Sequence, residues 1–318
     1  MIYTITLNPA LDRDIWIEKV SHDDSNRIQK EERFAAGKGI DVSRVLTTFG
    51  IKNMALGFVG GYEGEEIVGR LINEGISCNF TKVSGETRTN IVIYDIEKES
   101  QTIYSARGPE IMPNELMRII HQVEELEDPE IIIISGSLPY GVHPEIYFKI
   151  MEIAKSKGSK VILDTDEVAL KKGVHMFPDV IKPNVHELSR LSGLELQDIH
   201  EIVSTAETIC DQGTGIVLVS LGARGILLVG KKERYLAVPP KVKVVNTIGA
   251  GDSAVAGFVF GTVTGKTLQE ALVCAVAAGT ATTLRTGPAL CTKDDFFELI
   301  PQVKLYQGEE ISKAFQKY

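Results

Sequence analysis

Five runs of mostly β-branched residues, Ile2–Leu7, Ala55–Val59, Ile131–Ser135, Lys160–Asp164 and Ile216–Leu221, are apolar almost throughout instead of alternating with polar residues. An alternating strand rests one face on a core. A continuously apolar strand is buried on both faces, the condition of a parallel sheet covered by helices. Longer amphipathic stretches separate the runs: Ile40–Phe49, Glu65–Asn73, Pro113–Glu125, Pro144–Lys157 and Asp198–Asp211. Pro113 and Pro144 suit a first helical turn, and Gly50, Gly75 and Gly158 suit helix ends. The β-α-β-α order predicts an α/β fold, a doubly wound, mostly parallel sheet with helices on both faces.

Two segments break the rhythm. Asp14–Phe34 and Thr87–Ser105 alternate polar and apolar residues without helical periodicity, Trp16, Ile17, Ile91, Ile93 and Ile103 among them. They are expected to be antiparallel strands of a small separate sheet, a lid drawn from about residues 12–35 and 86–108 and folded over a site. No Gly-, Ser- or Pro-rich linker divides the chain, so residues 1–318 are expected to form one domain with this lid. The polar tail after Lys304 is expected to be loosely held.

With 43 acidic against 34 basic residues the formal net charge is −9, which argues against a nucleic-acid or anionic-membrane partner, since either needs a broad basic face. A local basic pocket for a small anion remains open. Cys78, Cys210, Cys274 and Cys291 are widely spaced with no CxxC pair, as suits reduced thiols better than a zinc site or a disulfide framework. The N-terminus meets Asp12 and Asp14 too early for a signal peptide, and Ser253–Gly265 and Ala271–Leu284 are too short to span a bilayer. A cytoplasmic protein is the expectation.

The most informative segment runs Val244-Val245-Asn246-Thr247-Ile248-Gly249-Ala250-Gly251-Asp252-Ser253 into the small-residue stretch Ala254–Phe258. Small residues let backbone N–H groups approach an anion closely, and a helix starting there adds its unpaired amides and positive dipole end. Asp252, in the first turn, would either cap the helix or accept a proton from a hydroxyl held beside the cradle. Two other glycine-rich segments fail on spacing. Gly261–Thr267 has three residues between its glycines where a P-loop has four, and Gly57–Gly61 lacks the dinucleotide-binding pattern. The six histidines show no metal-ligand spacing.

Seven segments stand in order along nearly the whole chain: Thr6-Leu7-Asn8-Pro9-Ala10-Leu11-Asp12, Ala36-Gly37-Lys38-Gly39-Ile40-Asp41-Val42, Gly85-Glu86-Thr87-Arg88-Thr89-Asn90, Ser135-Gly136-Ser137-Leu138-Pro139, Ile181-Lys182-Pro183-Asn184-Val185-His186-Glu187, Val219-Ser220-Leu221-Gly222-Ala223-Arg224-Gly225 and the Gly249–Ser253 cradle. In these the chain resembles the PfkB-type carbohydrate kinases of the ribokinase-like fold, most of all their 1-phosphofructokinase and tagatose-6-phosphate kinase branch. The resemblance implies ATP-dependent phosphorylation of a sugar phosphate in the presence of Mg²⁺, with K⁺ a further candidate ion. Fructose 1-phosphate is the first expected acceptor, tagatose 6-phosphate the second and fructose 6-phosphate the third. A non-catalytic nucleotide or sugar-phosphate sensor on the same scaffold is the rival from another class.

By the same resemblance, Asp252 is the general base, with Gly249, Ala250 and Gly251 forming the anion hole. Lys182, Asn184, Ser220, Gly222 and Gly225 serve the nucleotide, and Asn184 and Glu187 organise the metal through water. Asp12, Gly37, Lys38, Gly39, Asp41, Arg88, Ser137 and Arg27 serve the sugar phosphate, with Arg107 as another cation near it. The lid is expected to pair two copies into a homodimer. Two positions depart from the branch pattern: Ala36 replaces its first glycine, and Asp41 an asparagine beside the sugar or its phosphate. An ionised Asp41 would repel a phosphate, so either neighbouring cations compensate or the acceptor differs.

Overall fold

The computed structural model describes residues 1–165, 167–287 and 289–317. Among these residues, eleven strands form the main sheet. Its centre is β1 (Ile2–Thr6), flanked by β4 (Asn53–Val59) and β9 (Ile131–Ser135). Beyond β4 lie the short β5 (Ser77–Cys78) and β6 (Thr81–Lys82). Beyond β9 come β10 (Lys160–Asp164), β11 (Val180–Ile181), β12 (Ile216–Ser220), β13 (Ile226–Gly230), β14 (Arg234–Val238) and β15 (Lys304–Gln307). The strands from β5 to β12 pair in parallel, whereas β12 to β15 pair antiparallel.

Both faces are covered, as the apolar strands require. On one face, Tyr3, Ile5, Ile132, Ile134, Val161 and Leu163 pack against α3 (Pro113–Glu124), α4 (Glu145–Ser156), α5 (Glu167–Gly173), α6 (Val185–Ser192), α7 (Ile199–Asp211) and α11 (Glu310–Lys317). On the other, Ile2, Ile131, Ile133 and Ile162 pack against α1 (Lys38–Thr48), α8 (Ala250–Val263), α9 (Leu268–Thr283) and α10 (Lys293–Leu299). The remaining helix, α2 (Gly61–Asn73), joins Ile67 and Leu71 to Leu11 and Ala35 at the base of the second sheet.

That second sheet, drawn from the two segments expected to form a lid, has the order β3 (Ile28–Ala36), β2 (Ala10–Ile17), β7 (Arg88–Asp95), β8 (Ser100–Tyr104). It corrects the expectation of wholly antiparallel pairing: each hairpin is antiparallel within itself, but β2 and β7 run parallel from Ala10↔Arg88 to Ile17↔Asp95. Both hairpins leave the main sheet in the same direction, so their first strands meet side by side. The tail is a second correction. β15 pairs with β14, Ile311 and Ala314 of α11 are buried, and the Arg224 guanidinium stacks 4.0 Å from the Phe315 ring.

Candidate active site

The glycine-rich segment folds as expected. Gly249 precedes α8 with φ 74°, a left-handed conformation that glycine adopts without a Cβ clash. No side chain caps this helix end, which leaves its first turn open to an anion. A Cβ on Gly251 would lie 3.3 Å from the Lys182 ammonium, so the bare backbone makes room for that cation beside the cradle. Asp252 lies inside the first turn and is nearly buried, at 9% exposure.

Register explains what surrounds it. Thr6, Ser135 and Asp164 end three adjacent parallel strands, and Lys182 follows the fourth. In-register residues of a parallel sheet point to one face. Here it is the face covered by α1 and α8. Asp164 is fully buried, with the Lys38 ammonium 3.4 Å from Oδ1 and the Lys182 ammonium 3.3 Å from Oδ2. Among the described residues, Thr6 Oγ1, Asn8 Oδ1 and Ser135 Oγ are buried without a hydrogen-bond partner. Such unsatisfied oxygens gathered at the carboxyl edge of a sheet mark a floor built to be completed by water or ligand.

Burial pushes the Asp252 carboxyl up to about 7, and the charge of Asp164 pushes the same way against the pull of Lys38 and Lys182. A carboxylate so poised is ionised just above neutrality and basic enough to take a hydroxyl proton. Burial pulls Lys38 down, but Asp164, Asp252 and Glu187 outweigh it and hold its ammonium above the usual lysine range. Lys38 therefore offers fixed positive charge at the mouth of the cradle, and the Lys182 side chain reaches the same buried aspartate.

Other expected site residues gather around this centre with different employments. Gly37 begins α1 and Gly39 lies against Thr6, where a Cβ would come within 2.5 Å of Oγ1, so this pair also sets how closely α1 approaches β1. Asp12 accepts from Asn90 Nδ2 at 2.8 Å, and burial holds its carboxyl above the usual range despite that bond and the Arg88 charge. Arg88 Nη1 and Nη2 donate to the carbonyls of Ala106 and Asn8 at 2.8 and 2.9 Å, bracing the lid base. Asn8 Nδ2 donates to the exposed Ser137 Oγ at 3.2 Å and to the Arg107 carbonyl at 3.0 Å. Arg27 is exposed between β2 and β3, at the end of the hairpin away from Asp12.

Among the residues expected to serve the nucleotide and its metal, Asn184 and Glu187 form a reciprocal cap at the start of α6. Asn184 Oδ1 accepts from Glu187 N, and Glu187 Oε2 from Asn184 N, both at 2.8 Å. Asn184 also bridges to Ser220, whose N–H donates to the Pro183 carbonyl. Gly222 has a left-handed backbone beside open space, whereas a Cβ on Gly225 would overlap the Ala237 carbonyl oxygen. Among the described residues no three His, Cys, Asp or Glu side chains converge as a metal cage. One capped, buried glutamate fits a hydrated divalent cation whose remaining ligands are water and phosphate oxygens.

Asp164 is the site residue that the motifs did not single out. Its signal was positional: a carboxylate following the apolar run Val161–Leu163, at the sheet edge where α/β folds bind ligands.

These parts, an open helix N-terminus, two lysines held by one buried aspartate and a second aspartate near neutrality, are the kind of arrangement that phosphoryl transfer calls for. The family model described as "pfkB family carbohydrate kinase" matches residues 6–295, and the chain belongs to that family. It is therefore a phosphotransferase with an alcohol acceptor, and its fold is ribokinase-like. It is 35% identical to the 1-phosphofructokinase of Bacillus subtilis strain 168, over 96% of this chain and 99% of that protein. It is 32% identical to a tagatose-6-phosphate kinase of Staphylococcus epidermidis, over 96% of this chain and 100% of that one. Escherichia coli phosphofructokinase-2, solved in complex with potassium, superposes with a TM-score of 0.91 at 31% identity, covering 95% and 98% of the two chains. Among the described residues no helix is long and apolar enough to cross a membrane.

Proposed function

We propose that the chain moves the γ-phosphoryl group of ATP to the free primary hydroxyl of a ketohexose monophosphate, giving a 1,6-bisphosphate. The observation that carries this reading is Asp252 in the open first turn of α8, poised near neutrality beside Lys38 and Lys182. A protein that only bound nucleotide would gain nothing from a base in that place. Asp252 takes the hydroxyl proton as the oxygen attacks. The amides of Gly249, Ala250 and Gly251 and the two lysines face the charge on the transferred group. Lys182, Asn184, Ser220, Gly222 and Gly225 border the nucleotide. Glu187 and Asn184 would hold the water shell of Mg²⁺, which when bound with ATP would neutralise phosphate charge. K⁺ is a further ion to test, since the Escherichia coli relative was solved with it.

Asp12, Ser137, Gly37, Lys38, Gly39 and Asp41 border the sugar, with Arg88 and Arg107 cationic beside the lid base. In this reading Arg27 serves elsewhere than its own chain's site, since it stands at the far end of the β2–β3 hairpin, seven residue steps or about 23 Å from Ala10. It serves a second copy, with the lids of two chains packed across each other as a homodimer.

Fructose 1-phosphate is the first acceptor in this reading and tagatose 6-phosphate the second, following the curated relatives. A ketofuranose carries similar primary hydroxyls at both ends, so one site geometry suits either. The test is ADP release with ATP and Mg²⁺ over fructose 1-phosphate, tagatose 6-phosphate, fructose 6-phosphate and the free sugars. Turnover greatest on one phosphoketose supports the reading and names the acceptor. Bound ATP with no turnover on any acceptor contradicts it.

A further inference from the structure

Asp41 is the residue of this site whose charge is hardest to accommodate. It lies in the first turn of α1 with its side chain 16% exposed, and the cation that reaches it is Arg44, whose Nη1 is 3.5 Å from Oδ1. That cation is already engaged: Arg44 Nε and Nη2 donate to Glu74 at 2.7 and 3.3 Å, just past the end of α2. Lys38, on the same helix, turns to Asp164. The other charges bearing on Asp41 are carboxylates, Asp252 of α8 and Asp12 of β2. Burial and then the charge of Asp252 hold the Asp41 carboxyl well above the ordinary range, with Arg44 offsetting only part.

Neither of the two accommodations considered from sequence is needed, because a proton supplies a third. We propose that Asp41 works as a neutral carboxylic acid, offering the sugar phosphate one O–H donor and one acceptor as an amide side chain would, and that its ionisation weakens binding of phosphorylated acceptors but not of unphosphorylated ketoses. This rests on the sugar-phosphate kinase reading above. The charge of Asp252 bears on Asp41, and two carboxyls that interact in this way hold a single shared proton more readily than none. The surroundings assign that proton to Asp41: Asp252 has two lysines and the open end of α8 to favour its anion, while Asp41 has one shared guanidinium. Asp252 is thus left free as the base, and the Asp41 proton stays in place when the hydroxyl proton moves. Once ionised, Asp41 adds a negative charge where a phosphorylated acceptor must sit. A neutral ketose meets only another hydrogen-bond acceptor.

The experiment measures kcat and KM of the full chain and of Asp41→Asn from about pH 6 to about pH 9.5, with fructose 1-phosphate, tagatose 6-phosphate and free fructose as acceptors. The second ionisation of the substrate phosphate is centred near pH 6 and nearly complete about two pH units higher, so it bears on the acid side of the profile and does not mimic an alkaline limb. The native chain is expected to lose kcat/KM for the phosphoketoses on the alkaline side, by up to about tenfold per pH unit and through KM, while free fructose shows no such limb. In Asp41→Asn the phosphoketose limb is absent. The same limb in both proteins, or no alkaline limb in the native chain, overturns the proposal. If Asp41→Asn fails to bind ATP and so has not folded, the native comparison decides alone. A limb for phosphoketoses and none for free fructose supports the proposal, and matching limbs overturn it. No ATP-dependent turnover by the native chain on any acceptor overturns the kinase reading and this inference together, whereas turnover with a limb that Asp41→Asn leaves in place overturns this inference only.

Discussion

At the scale of single residues, the site is a set of opposed charges whose balance sets the acidity of Asp252. Its carboxyl is pushed up to about 7, so kcat/KM is expected to rise with pH through that region as the base loses its proton. Lys38 favours the ionised form. Lys38→Met therefore moves this acid limb to higher pH, and a limb that stays in place contradicts the coupling. Asp164 acts in the opposite sense: its negative charge disfavours a second one on Asp252, and it anchors both lysines. Asp164→Asn should shift the limb to lower pH while cutting turnover by roughly 10²-fold, since misplaced charges lose much of their effect on a transferring phosphoryl group. A protein that merely lost stability would show the second change without the first. Of these residues, Asp252 was legible in the sequence because glycines and a small-residue helix frame it. Asp164 was not, because a strand that ends in an acid looks like any other strand end until register sets it beside Ser135 and Lys182.

At the scale of elements, periodicity showed which faces are buried but not which strands become neighbours. The central strands and the helices beside them lie where the apolar runs and glycine stops place them, within a few residues. The parallel pairing of β2 with β7 was hidden, because alternation reports faces and says nothing of direction. The tail was hidden for a related reason. β15 has four mostly exposed residues, and α11 commits only Ile311 and Ala314 to the core, so neither carries an apolar pattern long enough to read. Arg88 joins the lid to the site: its guanidinium clasps backbone carbonyls at the lid base while its charge faces Asp12. Arg88→Ala should raise KM for the sugar phosphate by roughly tenfold or more and leave ATP affinity unchanged, as steady-state titration of each substrate would show. Away from the site, Phe296 is fully buried and stacks 4.2 Å from Phe49, with Phe260 edge-on at 5.4 Å. Phe296→Ala should cost about 3–5 kcal/mol of stability, seen as a lower denaturation midpoint.

At the scale of the whole molecule, the proposed chemistry lies at the carboxyl edge of the main sheet, and the second sheet, the proposed lid, projects from that edge. The length of the lid has a consequence for assembly. If Arg27 serves a second copy, light scattering gives twice the mass of one chain, and Arg27→Ala weakens sugar-phosphate binding without touching ATP. A monomer with full activity rules that arrangement out. The central claim, however, concerns chemistry at the first turn of α8. It is tested most directly by the turnover and ATP affinity of Asp252→Asn. The account predicts that turnover falls by roughly 10²-fold or more while ATP still binds, because the amide keeps the shape of the cradle but accepts no proton. Near-native turnover in that variant would contradict it.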